Sequence, residues 1–349
     1  MRREQHNSII GGMFALESWR DSQSTLPVFL TGTEIFLANA RSGIWLLVNQ
    51  LRPRHVWVPS YLCHTILQAV DTSVTRICFY ETNYDLDIPS NGWLSRVIKG
   101  DLVLFIDYFG FSYNREYGYR VKEKGAWVLE DACQALLSSY VREPSDFVLF
   151  SLRKWIGVPD GAVMRIPKNS PLADISLEPP INAWWLRALR ATMLRREFDD
   201  GLPSREWFRI FRETEDSYPT GPYAMSQLSQ AILRHAVDFP LIEKTRIDNY
   251  KSLSALLAKY ALFPSLGPDV VPLGFPVRVR RRDEIRNAMF DHEIYPPIHW
   301  LIDGVVPPHF EDSHRLAGDI MTLPCDQRYT GEDMRRIGEA FLKSVREDE

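Results

Sequence analysis

The stretch Asp146-Phe147-Val148-Leu149-Phe150-Ser151-Leu152-Arg153-Lys154 decides how this chain is read. Phe147 to Phe150 is an unbroken apolar run, the pattern of a strand buried on both faces, and it delivers a serine and then a lysine in Ser-x-x-Lys spacing. Working outward, Ala126 to Leu129 is a second apolar run that ends in Glu130-Asp131. Strand alternation sends Glu130 and Asp131 to opposite faces. Further strands are expected at Ile35 to Asn39, His55 to Val58, Val74 to Tyr80, Leu102 to Tyr108 and Ala162 to Ile166. Helices are expected at Ser42 to Leu51 and Ser60 to Val70. Continuous apolar strands alternating with helices predict a three-layer α/β unit with a mostly parallel sheet.

Past Ile181 the character changes. Ile181 to Pro222 is rich in Trp, Arg and Phe and is expected to form helices and loops reaching over the site. Long helices are expected at Met225 to Val237 and Pro240 to Tyr260, the second carrying the chain to another lobe. From Val270 a smaller α+β unit is predicted, with a strand at Phe275 to Val279, a helix at Asp283 to Asp291 and a last helix at Gly331 to Arg346. Thr330 fits as the N-cap of that last helix, with Asp333 in its first turn. The expected division is a segment 1–30 packing on the small unit, a large unit 31–239 and a C-terminal α+β unit 240–349.

The 349 residues exceed what one compact core usually holds, in keeping with two lobes. Apolar residues are 45% and charged residues 25%, ordinary for a soluble globular chain. A net charge of -4 with interspersed signs gives no nucleic-acid footprint. No apolar run approaches a membrane span and no signal-peptide core follows Met1-Arg2-Arg3, so a cytoplasmic protein is expected. Cys63, Cys78, Cys133 and Cys325 show no metal spacing and read as free thiols, and no metal site is expected. No Gly-x-Gly-x-x-Gly follows a strand, which disfavours a dinucleotide site.

The chemistry-bearing residues fit one cofactor. Pyridoxal 5'-phosphate needs a lysine to bond its aldehyde carbon, a carboxylate to hold its ring nitrogen protonated and hydroxyls for its phosphate. Lys154 is the candidate catalytic residue. Phe150, Trp155 and Ile156 make an apolar surround for it, against the ordinary alternative of a solvated surface lysine. Asp131 is the candidate partner of the ring nitrogen, or an N-cap for a following helix. Gln134 is a candidate for the cofactor's phenolic oxygen, or a plain polar helix residue. Ser151, with Arg41 and Ser42 in the turn Asn39-Ala40-Arg41-Ser42-Gly43, is a candidate phosphate ligand, because a strand-to-helix junction offers free N–H groups; the alternative for the Arg41-Ser42 turn is an ordinary helix start. In Pro59-Ser60-Tyr61-Leu62-Cys63-His64, Cys63 or His64 lies against the ring, or else they are a core cysteine and a surface histidine. Asp160-Gly161 lets the backbone turn tightly before the next strand. Arg187, Arg190, Arg195 and Arg196 either meet a diphosphate or form a solvated helix face. His299-Trp300 either lines an acceptor pocket or packs the small lobe.

Together these pieces resemble the DegT/DnrJ/StrS family of pyridoxal-phosphate aminotransferases, of the aspartate-aminotransferase fold (fold type I). The resemblance runs through Gly11-Gly12-Met13-Phe14, Asn39 to Gly43, Val58-Pro59-Ser60-Tyr61, Tyr108-Phe109-Gly110, Glu130-Asp131-Ala132, Asp146 to Lys154, Asp160-Gly161 and Leu323-Pro324. It implies that Lys154 bonds the cofactor, that Asp131 partners the ring nitrogen and that Ser151 with Arg41-Ser42 holds the phosphate. It also implies a homodimer that moves an amino group from an amino acid, expected to be glutamate, to a nucleotide-linked keto-sugar. The sequence departs from the family at four points. The serine-to-lysine spacing is shorter, and the ring-stacking aromatic falls at Cys63. Glu-Gly-Gly becomes Asp160-Gly161-Ala162, and Asn-Tyr-Arg becomes Pro222-Tyr223-Ala224 before Met225-Ser226. Two alternatives are a lyase or dehydratase on a similar sugar, whose branch replaces the lysine by histidine, and a non-catalytic member, which would lose Lys154 or Asp131.

Overall fold

A computed structural model of the chain describes residues 9–19, 29–30, 33–140, 142–170 and 172–346. In chain order the strands are β1 (Ile10–Gly11), β2 (Glu34–Leu37), β3 (His55–Pro59), β4 (Arg76–Tyr80), β5 (Leu102–Ile106), β6 (Trp127–Asp131), β7 (Phe147–Ser151), β8 (Ala162–Arg165), β9 (Phe275–Arg278), β10 (Ile294–Tyr295) and β11 (Ile320–Leu323). The α-helices are α1 (Ala40–Leu51), α2 (Arg115–Glu123), α3 (Asn182–Asp199), α4 (Glu206–Asp216), α5 (Gln227–His235), α6 (Phe239–Leu257), α7 (Arg282–Phe290), α8 (Glu311–Asp319) and α9 (Gly331–Arg346).

Strands β2 to β8 build a seven-stranded sheet in the order β2-β8-β7-β6-β5-β3-β4. Its β7-β6-β5-β3-β4 portion is parallel, and β8 runs antiparallel to both β7 and β2. The expected mostly parallel α/β sheet is what forms. Its two faces bury different partners. Leu104, Leu129, Leu149 and Met164 pack with Ile44, Leu47 and Val48 of α1. On the other face, Val148, Phe150 and Val163 pack with Ile232 and Leu233 of α5 and Phe239 and Ile242 of α6. A separate apolar cluster joins α6, β9, α7, β11 and α9, including Tyr250, Phe275, Met289, Leu323 and Phe341. Ile10 enters that cluster because β1 pairs in parallel with β10.

Several expected boundaries shift. The helix expected over Ser60 to Val70 is a short 3-10 turn, His64–Ala69, without a side-chain cap. Strand β4 starts at Arg76, because Asp71 caps its own turn through the Ser73 N–H (2.9 Å) and hydroxyl (2.7 Å). Helix α1 starts at Ala40, two residues early, because the Asn39 side chain accepts from the Ser42 N–H at 3.0 Å. Helices α2 and α8 were not expected; both are short and polar, with few apolar positions to give a period. At Thr330 the expected cap is present: Asp333 accepts from the Thr330 N–H and hydroxyl, both at 2.8 Å.

Glu130 illustrates alternation on β6. It is fully buried on the face away from α1 and pairs with Arg115 at 2.7 Å and with Arg142, while Ser145 donates to it at 2.7 Å. Burial pushes its carboxyl up, but Arg142, then a hydrogen bond with Asp107 and then Arg115 outweigh that and hold it down at about 2. Asp107, buried beside it, moves the other way, raised by burial and by the Glu130 charge. A carboxylate held below its unfolded value stabilises the fold above that value, and the contribution is lost as pH falls toward the folded value. Glu130→Gln is therefore expected to cost about 3–5 kcal/mol near neutrality, the scale for breaking a buried ion pair. Urea titrations should show the gap between variant and wild type narrowing below about pH 4.5; a gap independent of pH would deny Glu130 its charged role.

Candidate functional site

The parallel register of β6 and β7 sets Asp131 opposite Leu149, so Asp131 and the Ser151-to-Lys154 turn leave the sheet at one edge. Alternation does the rest. Leu129 and Leu149 point into the α1-side cluster, which carries Asp131 and Ser151 to that same side. Helix α1 begins there too, with Arg41 and Ser42 in its first turn and no acidic residue among them. This is the carboxyl edge of the parallel strands, where open α/β sheets bind ligands.

Asp131 caps no helix. Residues 132–139 form turns, and its side chain accepts from the Cys133 N–H at 3.0 Å, an Asx-type turn. Gln134 is buried in that turn, accepting from the Phe109 N–H at 2.8 Å and leaving its amide nitrogen without a partner. Phe109 is held at positive φ, and Gly110 beside it (φ +106°) approaches closely enough that a Cβ would meet the Val271 carbonyl oxygen at 2.3 Å. The Tyr108-Phe109-Gly110 turn thus fixes the Gln134 acceptor.

Lys154 ends the 3-10 turn Leu152–Lys154 and is partly buried. Its charge reaches two neighbours. Burial, then Asp131, raises the Cys133 thiol while Lys154 opposes. Burial, then Lys154, pushes the His299 imidazole down to about 3, so the ring is neutral across the physiological range. His299 bonds the Thr322 hydroxyl through Nδ1 at 2.9 Å and meets the Phe109 ring edge-on at 5.8 Å. Trp300 lies 5.7 Å from the Tyr61 ring and 6.3 Å from that of Tyr108. His299-Trp300 therefore borders the site.

At the α1 end, Ser42 is fully buried and its hydroxyl has no partner. Ser151 is buried at the end of β7. Arg41 donates to Gln68 Oε1 at 3.1 Å, with its guanidinium 4.8 Å from the Tyr218 ring centroid. Arg153 sits 4.7 Å from that same ring and pairs with Glu215 at 2.7 Å. Burial lowers Arg41, whereas Arg153 is held above its usual value because Glu215 and then Tyr218 overcome the burial. Asp160 is buried and accepts from the Ser226 N–H (2.7 Å) and from the Ser226 and Ser229 hydroxyls, tying α5 beneath the site.

Most of the candidates thus come together: Lys154, Asp131, Gln134 and Ser151 at the β6–β7 edge, Arg41 and Ser42 at α1. Cys63 is within electrostatic reach of both Arg41 and Cys133, partly exposed, with its sulfur 3.1 Å from the Thr65 hydroxyl; His64 is exposed. The arginine stretch is spent elsewhere. Arg195 is buried against Asp199 and the Gly11 carbonyl, Arg196 binds the Leu16 carbonyl, Arg190 pairs with Glu206 and Arg187 bonds Ser217. Sequence reasoning missed Arg153, Glu215 and Tyr218. The available signal was a second cation inside the decisive stretch, next to Lys154. Among the described residues no His/Cys/Asp/Glu group fits a metal ion, and no helix is long and apolar enough to cross a membrane.

No protein-family model and no curated protein matches the chain. Solved structures do. A Streptococcus pneumoniae protein, Spr1654, assigned as a sugar aminotransferase and solved in its PLP form, matches at TM-score 0.66 and 14% identity over 91% of this chain and 88% of that chain. DesI, solved in the presence of its TDP-sugar product, matches at TM-score 0.63 and 18% identity over 90% and 81%. A DegT DnrJ EryC1 StrS aminotransferase from Brucella abortus matches at 0.58 and 14% over 89% and 85%. At these identities the likeness shows the shared fold, which is the expected fold type I architecture.

The site makes a thiol prediction. Cys63 should be alkylated by iodoacetamide well ahead of buried Cys133 and Cys325, whose thiols burial raises, the latter to about 12. Peptide mass mapping of a time course reads the order; Cys133 reacting first would contradict the packing around Asp131.

Proposed function

We propose that this protein is a pyridoxal 5'-phosphate-dependent aminotransferase moving an amino group from an amino acid, glutamate in the first instance, to a nucleotide-linked keto-sugar. The observation that carries the reading is the placement of a lysine amine and a carboxylate at the ends of adjacent parallel strands, close enough that the Cys133 thiol feels the charge of both. Two orphan donors support the fit: the buried Ser42 hydroxyl suits a phosphate oxygen, and the buried Gln134 amide nitrogen suits a phenolic oxygen. Structures of the same fold add support, one being a PLP form and another solved in the presence of its TDP-sugar product.

On this reading Lys154 Nζ would hold the cofactor through its aldehyde carbon, with loss of water, and as a free amine would move the proton at the substrate carbon. The Asp131 carboxylate keeps a proton on the ring nitrogen. Ser42, Ser151, Arg41 and the first-turn N–H groups of α1 hold the phosphate. When bound, the cofactor supplies an electron sink for the carbon that loses its proton. Neutral His299 leaves Lys154 as the basic group on its side of the site. We further propose a cytoplasmic homodimer divided as 1–30, 31–239 and 240–349.

Borohydride treatment of cofactor-loaded protein should fix the cofactor to Lys154, and Lys154→Ala should abolish that labelling; peptide mapping to another lysine would overturn the assignment. Asp131→Asn should fold normally but lose about 10²–10⁴ in turnover, read by steady-state kinetics with glutamate. For the acceptor, protein charged with pyridoxamine phosphate should return its aldehyde-form absorbance with nucleotide-linked keto-sugars and not with the matching free sugars. Equal reaction of free ketones would remove the nucleotide handle and leave the aminotransferase.

A further inference from the structure

Trp155 follows Lys154 directly and is fully buried. Three separate parts of the chain meet on it. Its indole N–H donates to the Cys133 carbonyl at 3.1 Å, in the turn that Asp131 caps. Its own carbonyl accepts from Gln327 Nε2 at 2.6 Å, from the loop after β11. Its ring lies 4.4 Å from the guanidinium carbon of Arg246, on α6. Arg246 and Gln327 are themselves joined, Nε to Oε1 at 2.9 Å, so ring, carbonyl, amide and guanidinium close a cycle around one residue. Arg246 also donates to the Pro272 (3.2 Å) and Leu273 (2.8 Å) carbonyls, and the Leu273 N–H donates to the Phe109 carbonyl at 3.0 Å, beside the turn that fixes Gln134.

Arg246 is an unusual choice for packing alone. It is completely buried with no carboxylate at ion-pair distance among the described residues, one terminal nitrogen has no partner, and burial pushes it down to about 10 against the more distant charge of Asp326. A buried unpaired cation is costly, and apolar residues fill such space at least as well. A guanidinium does supply what an apolar side chain lacks: a flat donor that stacks on indole while gripping carbonyls from a second segment.

We propose that Trp155 is a positioning residue that sets Lys154 against Asp131, and that Arg246 and Gln327 brace it from α6 and the β11 loop. This rests on the aminotransferase reading for its consequence in turnover. The geometry gives the reason. Lys154 stands at the end of a three-residue 3-10 turn with few hydrogen bonds of its own, so the adjoining indole is what ties that turn to the Asp131 loop. A reacting group displaced by about 1 Å can lose on the order of 10²-fold in rate.

Three variants test this. Trp155→Phe keeps a face for Arg246 and deletes the indole N–H. Gln327→Met removes the brace and leaves Trp155 in place. Trp57→Phe is the matched control, since the Trp57 indole donates to Asp101 at 3.1 Å in a buried setting on β3. The first readout needs no cofactor: the acetylation rate of Lys154 by acetic anhydride in the cofactor-free protein, followed by peptide mass spectrometry relative to the other lysines. The second is the split of kcat against KM with cofactor and glutamate.

Trp155→Phe and Gln327→Met should each change the Lys154 acetylation rate at least about threefold. They should lower kcat about tenfold or more with KM for glutamate little altered. Trp57→Phe should lose thermal stability without either change. Lys154 acetylating at the wild-type rate in both site variants would overturn the proposal, as would Trp57→Phe reproducing both effects. If Trp155→Phe does not fold, Gln327→Met decides alone by the same criteria. Because acetylation is read without cofactor, failure of the aminotransferase reading shows only in the second readout.

Discussion

Everything functional here depends on the parallel register between β6 and β7. Pairing Asp131 with Leu149 sets one carboxylate and one Ser-x-x-Lys turn at a single sheet edge, on the face that α1 covers. A one-residue slip on either strand would turn Asp131 or Ser151 to the opposite face. The slip is prevented by the apolar rungs, because Phe147 to Phe150 is buried residue by residue and its two side-chain sets fit two different cores. Packing in the large sheet is thus what gives the site its geometry.

Charge is distributed by the same alternation. Glu130 and Asp131 are neighbours in sequence and opposites in fate. Glu130 is enclosed by Arg115 and Arg142 and fixes the layer behind the sheet, while Asp131 meets only the N–H and thiol of Cys133 among described hydrogen-bond partners and keeps accepting capacity toward the site. Positive charge is divided in a similar way. Arg195, Arg196 and Arg246 each bond backbone carbonyls away from this edge, Arg195 also pairing with Asp199 and Arg246 with Gln327, and Arg41 with Arg153 remains around Tyr218 at the α1 edge.

The parts legible in the sequence are those set by local physics. Continuous apolar strands gave β3, β5, β6 and β7, Asn39 and Thr330 gave helix starts, and Ser151, Lys154 and Asp131 stood at strand ends, where chemistry can be placed. The helix expected over Ser60 to Val70 failed because no side chain caps it, and the segment settles for a 3-10 turn. Arg153 and Tyr218 could not be joined from sequence, since their contact requires α3 and α4 to fold back over the sheet edge. Trp155 was read as lining for Lys154; its bonds to Cys133 and Gln327 are long-range, and no spacing rule reaches them.

The Pro222-Tyr223-Ala224 segment shows how a changed motif is accommodated. Its backbone is tied to the sheet edge and its neighbour: the Ala38 N–H donates to the Tyr223 carbonyl at 2.9 Å, the Ala224 N–H donates to the Glu178 carbonyl and the Glu178 N–H donates to the Pro222 carbonyl, both at 2.7 Å. Asn39, which caps α1, reaches the Pro219 carbonyl at 2.8 Å with its other polar end. The segment therefore acts as a brace for the start of α1 through main-chain bonds, a role that asks little of its side chains. An arginine at position 224 is not needed for that brace. The cations at this edge come instead from α1 itself and from the turn that carries Lys154, so the helix start, the lysine and the neighbouring charge share one rigid support.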